Sequence, residues 1–470
     1  MKNIKFKLIG VLILVALVVG SCKKWINTDI NTSPDSPIDV PMSSLLPAVE
    51  ANLAYNTIGG NDYTRVTTQW IQQFMGIARQ SQGESNYIWH DGDVDNVWNT
   101  TYAFSMTDLK TLISKSTDDP TYRGIADVLL ADALGHTTDI WGDIPYSQAF
   151  QGVNNLSPSF DTQDTVYNYI YKLLDEAIAK LASTTTVVRG DLIYNGDPAL
   201  WLKAANAMKA RYLLHLSKQD PGSYAKALAA LSGCLASNAD NMQLVFLNQQ
   251  GSQNPLYQFM NQRGDIAMHQ VFMDTLKGRG PDPRMYVYAS PGADTSDLYQ
   301  GAGWGSTGEN ASPPGPAVAS PAAPVYFITY AECLFIKTEC EFATGVAESQ
   351  VKADLVAAVG ASMDQFGVYD ATYMTFYDAA IQQPYVTGPV LFHEIMMQKW
   401  IALYNQGEAY VDWRRTENAI GLSPNPNPAT GSKPGIPRRF PYSLGEKSYN
   451  SNTPTDVDIW QRVWWDKAPK

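Results

Sequence analysis

Apolar side chains recur at helical spacing along most of the chain. Between residues 122 and 140 they fall at 125, 128, 129, 133, 134 and 140, which places them on one face of a helix. Alternating apolar and polar runs, typical of strands, are nearly absent. The pattern predicts a mostly α protein, with further helices over 43–58, 66–80, 166–182, 200–217, 223–236, 325–343, 348–361 and 390–413.

Several predicted helices form neighbouring pairs with short links, as in tetratricopeptide-like hairpin arrays. Their starts do not keep a strict period of about 34 residues, so spacing alone supports repeats only weakly. Two stretches, 278–324 and 421–459, are instead rich in Gly and Pro. Both contain aromatic residues, which disordered linkers tend to lack. We therefore expect long, ordered surface loops packed on a helical frame.

The N-terminus has the pattern of a lipoprotein signal. Three Lys precede an apolar run over residues 8–19, which is too short to span a bilayer. Two small residues then precede Cys22, as in a bacterial lipobox. We predict a signal peptide over 1–21, a lipidated tether over 22–45 and one helical domain over 46–470. The alternative is an ordinary secretory signal with an incidental cysteine.

Charge and cysteine content exclude several classes of protein. The formal net charge is -12, and it becomes -15 without residues 1–21, because three Lys leave and no acid does. An acidic chain argues against nucleic-acid partners and against electrostatic attachment to anionic lipid. No Cys-x-x-Cys pair occurs, so a zinc or thiol-redox site has no support. Cys333 and Cys340 are predicted to be small buried apolar residues.

Motifs for catalysis or metal binding are incomplete. The five His form no His-Glu-x-x-His motif, and "HEIMM" at 393–397 lacks the second His. "DGDVDNVWNTTY" at 91–102 begins like a calcium loop, but Asn96 and Tyr102 replace its Gly and its bidentate Glu. We predict no catalytic residue, no metal ligand and no cofactor, although an irregular structural calcium site stays open.

"DIWGDIPYSQA" at 139–149 places two acids, Asp139 and Asp143, behind an apolar helix. Paired carboxylates are what a glycosidase needs. However, Gly142 offers a helix-ending position and Pro145 cannot continue the helix. We interpret the segment as a helix end, with its aromatic residues packed under the next helix and its acids accepting hydrogen bonds from turn amides.

Six motifs together resemble the SusD/RagB family of outer-membrane lipoproteins, and they fall in the expected order over the mature chain. They are "CKKWINTDINTSPDSP" at 22–37, "DIWGDIPYSQAF" at 139–150, "DPRM" at 282–285, "ITYAECLFIKTECEFATG" at 328–345, "GEAYVDWRRTE" at 407–417 and "IPRRFPYSLGEKSYN" at 436–450.

The resemblance implies a scaffold of tetratricopeptide-like helical hairpins with long Gly/Pro-rich loops on top. It implies a lipid-anchored, cell-surface protein of the outer membrane that captures oligomeric nutrients, usually glycans, for a SusC-like TonB-dependent transporter. It implies neither catalysis nor nucleic-acid binding. Two alternatives stay open, namely a surface glycosidase and a helical-repeat scaffold that binds only protein. The sequence also does not distinguish a peptide from a glycan as the nutrient.

The ligand site is expected on loops in two aromatic regions, where members of the family typically place it. Sugar rings stack on flat aromatic side chains, and polar groups then orient the hydroxyls. Instead of binding ligand, Trp89 could pack on the helical frame. Trp304 could instead contact the partner barrel. Other Trp residues, such as Trp98 and Trp141, are expected in the core. The candidate ligand-binding residues are Arg79, Asn86, Tyr87, Trp89, His90, Asp91, Tyr299 and Trp304.

Overall fold

A computed structural model describes residues 39–60 and 62–468. Contacts divide the chain into two units, 1–41 and 42–470. Only residues 39–41 of the first unit are described. The predicted signal peptide, Cys22 and most of the predicted tether therefore lie outside the described residues.

The second unit is predominantly helical, which confirms the predicted fold class. Its helices are α1 (Met42–Asn52), α2 (Thr64–Trp70), α3 (Arg79–Ser85), α4 (Asp95–Asn99), α5 (Thr107–Lys115), α6 (Pro120–Trp141), α7 (Gln163–Ala182), α8 (Pro198–His215), α9 (Ser223–Ala230), α10 (Pro255–Gln262), α11 (Gln270–Gly278), α12 (Met285–Tyr288), α13 (Pro316–Ala319), α14 (Tyr330–Ala343), α15 (Glu348–Gln365), α16 (Ala371–Ile381), α17 (Gly388–Ala402), α18 (Glu408–Arg415) and α19 (Leu444–Tyr449). No helix among the described residues is both long and apolar enough to cross a membrane.

Two short antiparallel sheets accompany the helices. Strands β1 (Phe74–Gly76) and β3 (Ile266–Met268) pair in one, and β2 (Met242–Val245) and β4 (Pro324–Ile328) in the other. The predicted helix over 66–80 is therefore wrong over 71–78, between α2 and α3, and the one over 325–343 is wrong before α14. Short apolar runs fit a buried strand as well as a buried helix.

The scaffold is a series of consecutive helices that pack on one another. α6 packs on α7, α7 on α8 and α8 on α9, while α14 packs on α9, α15 and α17. Nearly every residue of α6 is buried, as expected for a helix in the middle of a core. α1 begins at Met42, four residues before the predicted start of the domain.

Local sequence explains where the longest helix begins and ends. The Asp119 carboxylate accepts hydrogen bonds from the Thr121 and Tyr122 amides, both at 3.1 Å, and Pro120 occupies the first turn, where no amide donor is needed. At the other end Gly142 has φ +78°, a conformation that favours glycine.

The motifs that suggested the family form buried links within this scaffold. Arg211 pairs with Glu332 at 2.6 Å, and Arg284, which pairs locally with Asp282, also donates to the Gln398 side-chain oxygen of α17 at 2.6 Å. Arg414 donates to the Asp139 carbonyl at 2.6 Å, at the last turn of α6. Because a buried charge needs a partner, these arginines hold distant segments together.

Candidate functional site

The acid pair of "DIWGDIP" is structural. Asp139 is buried and accepts hydrogen bonds from the Tyr167 hydroxyl at 2.5 Å and the Trp465 indole at 2.9 Å. Asp143 accepts from the amide of Gln163, the first residue of α7, at 2.9 Å. The segment does end a helix, as expected. The expected bonds from turn amides are wrong for both acids. Side chains of other segments bond to Asp139, the first amide of α7 bonds to Asp143, and the turn amides of Tyr146 and Ser147 donate to Asp161 instead.

The packing expected for the aromatic residues of this segment is correct for one of the two. Tyr146 contacts Tyr169 of α7, with ring centroids 5.1 Å apart. Trp141 instead packs against Trp98, at 5.1 Å, and donates to the Pro441 carbonyl at 2.8 Å. Its partners are therefore α4 and the C-terminal segment rather than the next helix.

A pocket of about 580 Å³ opens where three loops meet, and we call it the loop pocket. The loops are 87–92, 429–432 and 457–460, joined by two single residues of the C-terminal segment. Its lining contains four of the eight candidate residues: Tyr87, Trp89, His90 and Asp91.

Tyr87 and Asn86 form the framework of this pocket. The Tyr87 hydroxyl accepts a hydrogen bond from the Asn425 amide at 2.9 Å, and the Asn86 carbonyl accepts one from the Ala429 amide at 3.1 Å. Burial raises the pKa of Tyr87 to about 12, so its hydroxyl stays protonated. Both residues fasten the loop before α19 to the loop after α3.

Trp89 lies mostly in the core. Only 5% of its surface is exposed, and its ring lies 5.4 Å from that of Phe440. The packing alternative thus describes most of this side chain. Its neighbours are more accessible, since His90 is exposed and Asp91 is half-buried, paired with Lys447 at 2.8 Å.

Trp304 contacts this region from a distant part of the chain. Its half-buried ring lies 6.4 Å from Tyr87 and 4.8 Å from His269, edge to face in both cases. Burial lowers the pKa of His269 to about 3, so that ring is neutral. Ala302, two residues before Trp304, donates to the carbonyl of Met268 at the end of β3, at 2.8 Å, and accepts from the Gln270 amide at 3.0 Å. The two predicted aromatic regions therefore meet through Tyr87 and Trp304.

Two candidate residues lie elsewhere. Tyr299 packs against Tyr286 of α12, with ring centroids 5.1 Å apart. Arg79 pairs with Asp265, and it also donates to the Arg263 carbonyl. Arg79 thus fastens the start of α3 to the segment that enters β3, while its side chain stays largely exposed.

Sequence reasoning missed Trp460 and Asn425. Trp460 is half-buried, lines the loop pocket and donates to the Gly435 carbonyl at 3.2 Å. Asn425 is buried and donates to the Asn86 side-chain oxygen at 2.9 Å. Both lie in or beside the second Gly/Pro-rich stretch, and a polar or aromatic residue held within such a loop is the available signal.

Each acid of the "DGDVD" segment has a protein partner. Besides the pair of Asp91 with Lys447, Asp93 accepts from the His90 amide at 2.8 Å and Asp95 from the Ser443 hydroxyl at 2.6 Å. Across residues 39–60 and 62–468, no group of three or more His, Cys, Asp or Glu is placed to hold a metal ion.

Comparison with known proteins identifies the family. Residues 34–443 match the family model described as SusD-like, starch-binding and associating with the outer membrane. No curated protein matches the chain.

Several solved structures are similar to this one over nearly the whole chain. A SusD/RagB family protein from Bacteroides thetaiotaomicron has 25% identity and a TM-score of 0.77, covering 92% of this chain and 100% of its own. A structure described as a chitin-binding protein has 25% identity and a TM-score of 0.78, covering 91% and 100%. A chitin-binding SusD homolog from Flavobacterium johnsoniae, at 22% identity, covers 90% and 99% with a TM-score of 0.78 and shares the fold. The chain belongs to the SusD-like family, whose members bind carbohydrate, associate with the outer membrane and are not enzymes.

Proposed function

We propose that this protein captures glycan oligomers at the cell surface and delivers them to a SusC-like TonB-dependent transporter. In this proposal lipid chains on Cys22 hold it on the outer membrane. The observation that supports the proposal is the contact between Tyr87, which lines the loop pocket, and the half-buried Trp304. The glycosidase alternative is set aside, because members of the family are not enzymes.

The chemistry around these residues suits a sugar chain. Sugar rings present apolar C–H faces, for which an accessible indole is a flat partner. His90 and Asp91 in the loop pocket supply polar groups for hydroxyls, and a pocket of about 580 Å³ lies within the range of known ligand sites. A glycan seated in the loop pocket can continue over Trp304.

The choice of first ligands follows from the relatives. The family description names starch, and two similar structures are described as chitin-binding. Oligosaccharides of both polymers are therefore the first candidates, with a peptide mixture as the other class of nutrient.

Calorimetric titration of the chain from Lys23 onward tests the proposal. We expect binding without turnover, weakened about tenfold or more by Trp304→Ala, which corresponds to about 1.4 kcal/mol. Phe104→Ala is the control, because that ring is 58% exposed and does not line the loop pocket. Equal affinity in wild type and Trp304→Ala would contradict the proposed site. Binding of peptides but of no oligosaccharide would contradict the proposal that the nutrient is a glycan.

Delivery to a transporter is tested separately. We expect the full-length protein to co-purify from outer membranes with a SusC-like barrel. Trp304→Ala should keep that complex while losing glycan. Loss of the complex in Trp304→Ala would instead favour the barrel contact for this residue.

A further inference from the structure

A second groove lies at the C-terminal end of α11, and we call it the α11 groove. It has a volume of about 320 Å³ and is bounded by α16, α17 and the link between them. This volume is at the lower limit for ligand sites, which suits a short piece of a chain. The side chains that matter are Phe376, Tyr385, Arg279, His393 and Glu394.

Two aromatic side chains in the groove are largely exposed. Phe376 is 56% exposed and Tyr385 is 71% exposed. A Cβ on Gly280 would lie 3.0 Å from the Phe376 ring, so glycine allows the ring to approach the backbone there. Apolar groups exposed together along a groove, rather than singly, are typical of a binding surface.

Polar groups also line the groove. The Arg279 guanidinium donates to both oxygens of Glu394, at 2.5 and 2.8 Å, and the Tyr377 hydroxyl donates to Glu394 at 3.1 Å. Glu394 takes two of the five N–H groups of a partly exposed Arg279, so that residue can also donate to a ligand.

His393 adds an acceptor. Its Nδ1 lies 2.7 Å from the Ala419 carbonyl, which can only accept, so Nδ1 carries a hydrogen. In the neutral ring Nε2 is then an acceptor. Because the residue is exposed, a ligand can reach it. Aromatic faces beside a fixed donor and acceptor match a sugar ring, whose hydroxyls both donate and accept.

The α11 groove is separate from the site at Trp304. His269 caps the N-terminus of α11 and contacts Trp304, whereas Arg279 caps its C-terminus. The nine residues of α11 are about 13 Å long. We propose that the α11 groove is a second glycan-binding site, which holds another part of a long polymer bound at Trp304. This inference rests on the proposed function. A second site would add avidity for long glycans, because the second contact of an already bound chain is intramolecular.

Stoichiometry tests the second site. We would titrate the full-length protein with short chitin and starch oligosaccharides and compare Phe376→Ala/Tyr385→Ala with Phe104→Ala/Tyr369→Ala, a pair also exposed at 58% and 52%. We expect two oligosaccharides per protein, falling to one in the groove variant alone, and long polymers to bind that variant about tenfold or more weakly. A stoichiometry of one in wild type, or no difference between the two variants, would overturn the inference.

Photo-crosslinking separates the two proposals. An oligosaccharide carrying a photoreactive group is attached to the protein, and the labelled peptides are identified by mass spectrometry. Label on residues 371–394 together with label at Trp304 or residues 87–92 supports the inference. Label at Trp304 or residues 87–92 alone overturns the inference and leaves the proposed function intact. Label on 371–394 alone contradicts the proposed site at Trp304 and overturns the groove's role as a second site, and label in neither region overturns both proposals.

Discussion

His215 is a buried cation between two carboxylates. Its Nε2 lies 2.8 Å from Glu408 and its Nδ1 lies 3.3 Å from Asp139. Burial alone would lower the pKa of His215, but Glu408 and Asp139 raise it to about 9. One imidazolium therefore links α8, α18 and the end of α6.

This linkage predicts a loss of stability at alkaline pH. The folded pKa of about 9 exceeds the ordinary value of 6.5, so the contribution is complete below pH 6.5 and is lost as pH rises through 9. The difference corresponds to about 3 kcal/mol. Urea unfolding across this range should show the decline in wild type and a flatter profile in His215→Gln. Parallel profiles for the two proteins would contradict a charged His215.

At the scale of helices, one glycine controls a contact in the scaffold. Gly135 lies inside α6, and a Cβ there would lie 2.2 Å from the Tyr212 hydroxyl of α8. α6 and α8 therefore approach each other more closely than any larger residue permits. Replacing Gly135 by alanine would stabilise the helix through its higher helix propensity and destabilise the packing through a clash with Tyr212. The short distance indicates that the clash has the larger effect.

We predict that Gly135→Ala destabilises the protein although it raises helix propensity. Propensity gains about 1 kcal/mol. A clash with a buried ring costs about 1–3 kcal/mol or more. Gly83→Ala in α3 is the control, since its Cβ would lie 3.8 Å from Ile88, an ordinary contact. Thermal unfolding should show a lower Tm for Gly135→Ala alone, and equal shifts in both variants would refute the packing argument.

The sequence predicted the long helices well and the site less well. The amphipathic or apolar patterns of α6, α7 and α8 are long, and Asp-Pro pairs mark the starts of α6 and α8. The strands β1 and β4 were missed because their apolar runs are short. The meeting of Tyr87 with Trp304 depends on how β1 pairs with β3, and such long-range pairing leaves no periodic signal in one sequence.

Asn425 is one of the side chains that join two of the loops of the loop pocket. Asn425 donates to the Ser85 carbonyl at 3.3 Å and to Asn86, and it accepts from the Asn427 amide at 2.9 Å. Asn425→Ala should destabilise the protein by about 1–3 kcal/mol, because buried partners lose their bonds. Hydrogen exchange should accelerate over 425–432, and glycan affinity should fall. Unchanged exchange would show that the loop is held by other contacts.

Over the whole molecule, the net charge argues against electrostatic attachment to the membrane. Without residues 1–21 the formal charge changes from -12 to -15, because three Lys are removed. An acidic protein is repelled by anionic lipid surfaces, so any attraction must come from elsewhere. Acyl chains bury apolar surface in the bilayer regardless of protein charge.

We therefore predict that membrane association depends on Cys22 and resists salt. Wild-type protein should sediment with the membrane fraction at low and at high ionic strength, because lipid burial is not screened. Cys22→Ser should appear in the soluble fraction at both. The variant should still bind glycan in calorimetry, because the loop pocket and Trp304 lie in the separate unit 42–470. Membrane-bound Cys22→Ser released by salt would point to an electrostatic or partner-mediated attachment, and the lipobox interpretation would then fail.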